Sequence, residues 1–186
     1  MRVVIYNAHF GDMPRAYSDR AAMCVEMLAA MPGIATSIVM VQEAGPSLAR
    51  RARTRILTHE AYFSGTRPGL LTLVPHTAAE LDGARVKQYA LPSAMRRTFH
   101  VVHVGTLALV NVHLESCAVH GPTRARQVER IRETCSGHRL VILGDLNGYD
   151  GKWDSFVADN DVHVTETKRR VFSDISLHAR ATFEVR

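Results

Sequence analysis

The chain has few cysteines, few aromatics and no long apolar run. Its 186 residues include three cysteines, Cys24, Cys117 and Cys135, an odd number without the paired spacing of a zinc site. This argues against a disulfide framework and a structural zinc, and the thiols read as reduced and structural. Aromatics make up 6% of the residues and do not alternate with the basic clusters. A stacking platform for single strands is therefore not indicated. No apolar stretch reaches the length of a bilayer crossing. The first residues pass directly into Val3-Val4-Ile5, with no charged, apolar and small-residue leader pattern. The expectation is a cytoplasmic protein that does not engage a membrane. Linkers, repeats and low-complexity tracts are also missing, so the length reads as one domain over 1–186.

What the chain does have is basic charge and strand-like apolar runs. The formal net charge is +5, with ten histidines besides. Arginines cluster at Arg50-Arg51-Ala52-Arg53-Thr54-Arg55, at Arg96-Arg97 and at Lys168-Arg169-Arg170. Two readings stand side by side: an arginine-rich composition, or a face that binds a polyanion through bidentate phosphate contacts.

Hydrophobic periodicity predicts strands over Arg2–Tyr6, Ile38–Val41, Gly69–Val74, Val86–Leu91, Thr98–Val104, Thr106–His113, Leu140–Leu143 and Ala179–Val185. Gly105 marks a tight hairpin. Helices are predicted from Asp19 to about Met31, capped by Ser18 and closed by Pro32-Gly33, and over Thr123–Cys135 with Gly137 beyond. Many strands with two helices between them suggest two packed sheets flanked by helices.

Several strands end in polar groups. The first closes on Asn7, the second on Gln42-Glu43, the hairpin on Asn111-Val112-His113-Leu114-Glu115, and the next on Gly144-Asp145-Leu146-Asn147. Ser173-Asp174 follows near the C-terminus. The two-residue period of a strand predicts that Asp145 and Asn147 face one small volume. A carboxylate that accepts a proton beside an amide that donates to an oxyanion suits phosphate-ester cleavage. The remaining histidines share no metal spacing and read as surface or hairpin positions.

In this order the tips resemble the motifs of the endonuclease/exonuclease/phosphatase superfamily of metal-dependent phosphoesterases, over nearly the whole chain. His113-Leu114-Glu115-Ser116, followed by a helix bearing Arg126-Gln127, is most similar to the DNA-end-processing tyrosyl phosphodiesterases. The resemblance implies an α/β (α+β) four-layer sandwich of compact form, two packed mixed β-sheets flanked by helices, with the site at one end. It implies that Glu43 binds Mg²⁺ or Mn²⁺ with Asn7 beside it. Asp145 would position or deprotonate the attacking water, and Asn147 would donate to the phosphoryl oxygens. His113 would contact the phosphate or protonate the leaving oxygen, with Asp174 in the last motif and Arg67 as a phosphate contact. Nucleic acid is the implied partner, DNA favoured over RNA, and the chain reads as a monomer.

One triplet departs from the pattern. The superfamily's last motif is Ser-Asp-His, and here it is Ser173-Asp174-Ile175. Isoleucine moves no proton. Either His113 carries more of the acid–base work, or His178 substitutes from a rebuilt loop, or the chain binds without cutting. A small phosphoester is a further substrate class. Trp153, in the loop after Asp145, is a candidate for substrate contact or for packing.

Overall fold

Apolar runs without polar alternation form strands covered on both faces, and that rule organises the molecule. In this computed structural model the described residues are 1–8, 17–65, 68–76, 84–148, 156–159, 161, 163–172 and 177–186. The chain runs β1 (Arg2–Asn7), α1 (Tyr17–Ala29), β2 (Ser37–Ala44), α2 (Pro46–Arg55), β3 (His59–Phe63), β4 (Gly69–Pro75) and β5 (Arg85–Ala90). It continues through β6 (Thr98–Val104), β7 (Leu107–His113), α3 (Gly121–Thr134), β8 (Arg139–Asp145), β9 (Phe156–Ala158), β10 (Val164–Phe172) and β11 (Leu177–Val185). One sheet has the order β10-β11-β1-β2-β4-β3, the other β5-β6-β7-β8-β9. Each is mixed: β1 and β2 are parallel in one, β7 and β8 in the other.

Side-chain alternation builds the layers. Val4, Tyr6, Val39 and Val41 pack against Val25 and Leu28 of α1 and Leu48 and Ala52 of α2. The opposite faces, Val3, Ile5, Ile38 and Met40, meet Leu109, Val141 and Leu143 between the sheets. Val110, Val112 and Ile142 face outward again, onto Ile131 of α3. Each such side chain contributes roughly 1.5–3 kcal/mol on burial. The result is the four-layer α/β sandwich that the sequence predicts.

The expected elements are present with shifted ends, and four others are added. The arginine cluster lies on α2, whose Gly45-Pro46 start supplies a residue with φ preset for the first helical turn. Three small or apolar residues, Leu48, Ala49 and Ala52, give α2 its buried side. That is too few to stand out among the arginines. The strands β3, β9 and β10 are also additions; β9 has only three residues. The hairpin at Gly105 forms as expected, with φ 57 at that glycine. Of the histidines read as surface or hairpin positions, His59 and His100 are buried, His100 on the hairpin strand β6. His59 bonds to the Ser37 carbonyl (2.8 Å), and His100 bonds to Thr72 Oγ1 (3.0 Å). No helix among the described residues is long and apolar enough to cross a membrane.

Candidate active site

Ligand sites in open α/β sheets lie beyond the carboxyl ends of parallel strands. This sandwich has two such pairs, stacked on each other. In β1 and β2, Asn7 is in register with Gln42; in β7 and β8, His113 is in register with Asp145. The pairs touch across the core, β1 against β8 and β2 against both β7 and β8. Four strand ends therefore deliver Asn7, Glu43, His113 and Asp145 to one place.

Glu43 reaches it through a distortion. Its φ of 53 is left-handed, where the β2–β4 ladder shifts register between Val41 and Ala44. A bulge of this kind re-aims a side chain, and such backbone costs of order 1–3 kcal/mol and is concentrated at functional sites. Gln42 just before it turns inward, and its Nε2 donates to Asn111 Oδ1 (2.7 Å). Asn111 in turn donates to Thr72 Oγ1 (3.0 Å), which meets His100. This buried polar chain ties the sheets together directly behind the cluster.

One ligand atom each from Glu43, His113 and Asp145 lies within 4.8 Å of the others. Asn7 Nδ2 donates to Asp145 Oδ2 (2.8 Å) and to Glu43 Oε1 (3.5 Å). His113 Nε2 stands 3.7 Å from Asp145 Oδ2, and His113 Nδ1 stands 4.0 Å from Glu43 Oε1. Burial pushes the Asp145 carboxyl above its ordinary range, and the Glu43 charge adds to this. The Asn147 N–H, the Asn7 amide and the Arg97 guanidinium act the other way. Two carboxylates with like charge and a neutral amide between them fit a hard divalent cation, which takes oxygen ligands and offsets the repulsion. Glu43 and Asp145 are the oxygen donors in place, and Asn7 would add its oxygen if its amide were turned over.

Asn147 is placed differently from the period-two expectation. β8 ends at Asp145, and Asn147 lies beyond it with a left-handed φ of 50. Alternation therefore no longer governs its direction. Its backbone N–H donates to Asp145 Oδ1 (3.1 Å), and its side-chain amide donates to the Leu114 carbonyl (3.0 Å). Arg67, Trp153, Ser173, Asp174 and Ile175 lie outside the described residues. β10 ends at Phe172 and β11 begins at Leu177, at the same end of the sheet as Asn7. His178 is on β11.

Two groups at this site had no role assigned from the sequence. Arg97, read only as half of a basic pair, donates from Nη1 to His113 Nδ1 (3.0 Å) and from Nη2 to Ser116 Oγ (3.1 Å). Burial lowers its pKa, against the pull of Glu43, Glu115 and Asp145. The hairpin held a usable signal. Phe99 pairs with Val112, so counting from the Gly105 turn brings the residues just before Phe99 alongside His113. Glu115, seen in the motif after His113 but given no role there, is fully buried beneath the loop carrying Arg97.

No family model matches this chain, and neither does any curated protein. Solved structures do. A humanized D. rerio TDP2 with 14 mutations is 15% identical, over 99% of this chain and 98% of that one, with a TM-score of 0.70. A Bacteroides thetaiotaomicron mannosyl-6-phosphatase is 13% identical, over 100% and 99%, at 0.69. A variant of the Neisseria 3' phosphatase NExo, bound to a product DNA hairpin, is 15% identical, over 100% and 99%, at 0.62. The chain has the fold that these structures share, the sandwich that the resemblance of its ordered motifs implies.

Proposed function

We propose that this chain is a divalent-metal-dependent phosphoesterase acting on nucleic acid, DNA favoured over RNA, as a monomeric single domain over 1–186 with Mg²⁺ or Mn²⁺. The observation that carries the reading is the meeting of Asn7, Glu43, His113 and Asp145 from four strands of two sheets. Glu43 would hold the cation, with Asn7 beside it and adding its oxygen once the amide is turned over. When bound, the cation neutralises charge and orients the scissile group for in-line displacement.

The chain's own residues do the rest. Asp145, whose carboxyl burial raises above its ordinary value, takes the proton of the attacking water. His113 donates to the phosphoryl or leaving oxygen. Asn147 gives up the Leu114 carbonyl to donate to phosphoryl oxygens as charge builds there. Asp174 of the last motif stays a candidate catalytic residue, and Arg67 a candidate phosphate contact. Support for a polyanion comes from the exposed Arg50, Arg51 and Arg53 on α2, the helix that follows the Glu43 strand end. Support also comes from neighbours of this fold seen with DNA, a D. rerio TDP2 with a single-strand product and NExo with a hairpin product.

Ile175 favours a second reading, a binding protein on the same fold. One experiment separates the two. The purified chain is incubated with end-labelled single-stranded DNA, duplex DNA, RNA and a small aryl phosphate, in Mg²⁺, Mn²⁺ or chelator. Metal-dependent cleavage of the nucleic acids supports the proposal. Turnover of the aryl phosphate alone moves the substrate to a small phosphoester. Salt-sensitive binding without turnover in any arm supports the binding protein.

A further inference from the structure

The site includes a histidine whose two nitrogens have different neighbours, and the reason lies away from the chemistry. A guanidinium has donors only. With Arg97 Nη1 3.0 Å from His113 Nδ1, that nitrogen must be the acceptor. The ring proton is then on Nε2, the nitrogen facing Asp145 Oδ2. A ring in this state has no free lone pair for a cation: Nδ1 is occupied and Nε2 is protonated. His113 thus turns its Nε2–H toward the cluster, 3.7 Å from Asp145 Oδ2, and the cation site is made of oxygens.

Arg97 stays in place because the loop before β6 is fastened from below. Glu115, just past the end of β7 and beyond His113, is fully buried. Its carboxylate accepts from Ser93 Oγ (2.5 Å), from the Met95 N–H (3.1 Å) and from Gln127 Nε2 (3.2 Å). Ser93 Oγ in turn accepts the N–H groups of Met95 and Arg97 (3.1 and 3.0 Å). Gln127 also donates to the Pro92 carbonyl (3.1 Å), and its Oε1 accepts the Glu115 N–H (2.9 Å). The residues 92–97 are thereby bonded to α3 and to the end of β7 at several points, and Arg97 is the last of them.

We infer that Glu115, with Gln127, is a positioning residue: it clamps the loop of Arg97 so that Arg97 fixes His113 as the Nε2-protonated tautomer aimed at Asp145. Glu115 itself touches none of Asn7, Glu43 or Asp145 in the bonds above. Partners placed behind an imidazole in this way commonly decide which of its nitrogens carries the proton. The effect on catalysis rests on the phosphoesterase reading; the tautomer does not.

The test is ¹⁵N NMR of the full chain with labelled histidine, above the imidazole titration range and with and without Mg²⁺. In the wild type His113 shows a protonated Nε2 and an unprotonated Nδ1. In Arg97→Met and in Glu115→Gln the pattern becomes a mixture of tautomers, while the circular dichroism spectrum is retained. If Glu115→Gln fails to fold, Ser93→Ala, which removes one donor to the carboxylate and the acceptor of two loop N–H groups, takes its place. In a turnover assay Glu115→Gln lowers kcat at least tenfold with KM within about twofold. A wild-type His113 protonated on Nδ1 overturns the inference. So does an unchanged tautomer in Glu115→Gln, or in Ser93→Ala if that variant is the one that folds. Loss of the tautomer preference in a chain that shows no turnover on any phosphoester keeps the clamp and removes the phosphoesterase reading.

Discussion

Gly144→Ala probes the point where β7, β8 and Gln42 come closest. Gly144 has φ +136, a conformation almost confined to glycine. A Cβ there would lie 2.0 Å from the Val112 carbonyl oxygen and 3.1 Å from Gln42 Nε2. Val112 is its register partner, so the obstacle is the backbone of the neighbouring strand and not a side chain free to swing. The backbone conformation costs about 1–3 kcal/mol for an L side chain, and forcing atoms into a packed site costs about 1–3 kcal/mol more. The middle of that sum is about 4 kcal/mol. For a domain of this size that is a fall in Tm of roughly 8–16 °C. The assay is urea unfolding followed by circular dichroism, with the m-value checked for constancy. Gly105→Ala is the control: its φ is +57 with nothing within 4 Å of a Cβ, and its cost is about 1–2 kcal/mol. If Gly144→Ala is no more destabilising than Gly105→Ala, the close approach at the site is wrong.

Three other outcomes follow from the same interior. The folded pKa of Asp145 is raised, so the stability it contributes is present when it is protonated and is lost as pH rises through its folded pKa. In chelator at neutral pH, Asp145→Asn therefore raises Tm, read by differential scanning fluorimetry, while Glu43→Gln loses the Tm increase that Mg²⁺ gives the wild type. His100 is pushed down from 6.5 to about 4 by burial. Its contribution is complete above the unfolded pKa and is lost as pH falls toward the folded one, roughly 3 kcal/mol over that window; His100→Asn flattens the decline in a pH series of unfolding curves. Asn111→Leu removes the partner of both Gln42 and Thr72 inside the core. Unfolding free energy falls by about 2–4 kcal/mol, the cost of leaving buried polar groups unpaired; a loss below about 1 kcal/mol would show that the chain of bonds does not hold the sheets.

The sequence makes the apolar strands legible because burial on both faces leaves an unbroken apolar run. Val3-Val4-Ile5 and Val141-Ile142-Leu143 are examples. The polar tips are legible for a related reason: Asn7, Glu43, His113 and Asp145 each follow such a run, so the strand end that places them is visible. Asn147 shows where the pattern stops, since the two-residue period ends with the strand at Asp145. The helix at Pro46–Arg55 is hidden by arginines that face solvent, its buried side being only Leu48, Ala49 and Ala52. Arg97 and Glu115 are hidden for another reason. Their importance depends on hydrogen bonds between loop, strand and helix, such as Glu115 to Ser93 and Gln127, and local periodicity does not encode these.

If the cluster at the joined strand ends hydrolyses phosphodiesters of nucleic acid with a divalent metal, cleavage of end-labelled DNA by the wild type, Glu43→Gln and Asp145→Asn across a Mg²⁺ titration will show it. Saturable, chelator-sensitive cleavage by the wild type is expected, with a loss of at least about a hundredfold in each variant, near the scale set by removing a group that acts in the transition state. Cleavage that persists in Asp145→Asn, or that is indifferent to Mg²⁺ and chelator, would contradict this role of the cluster.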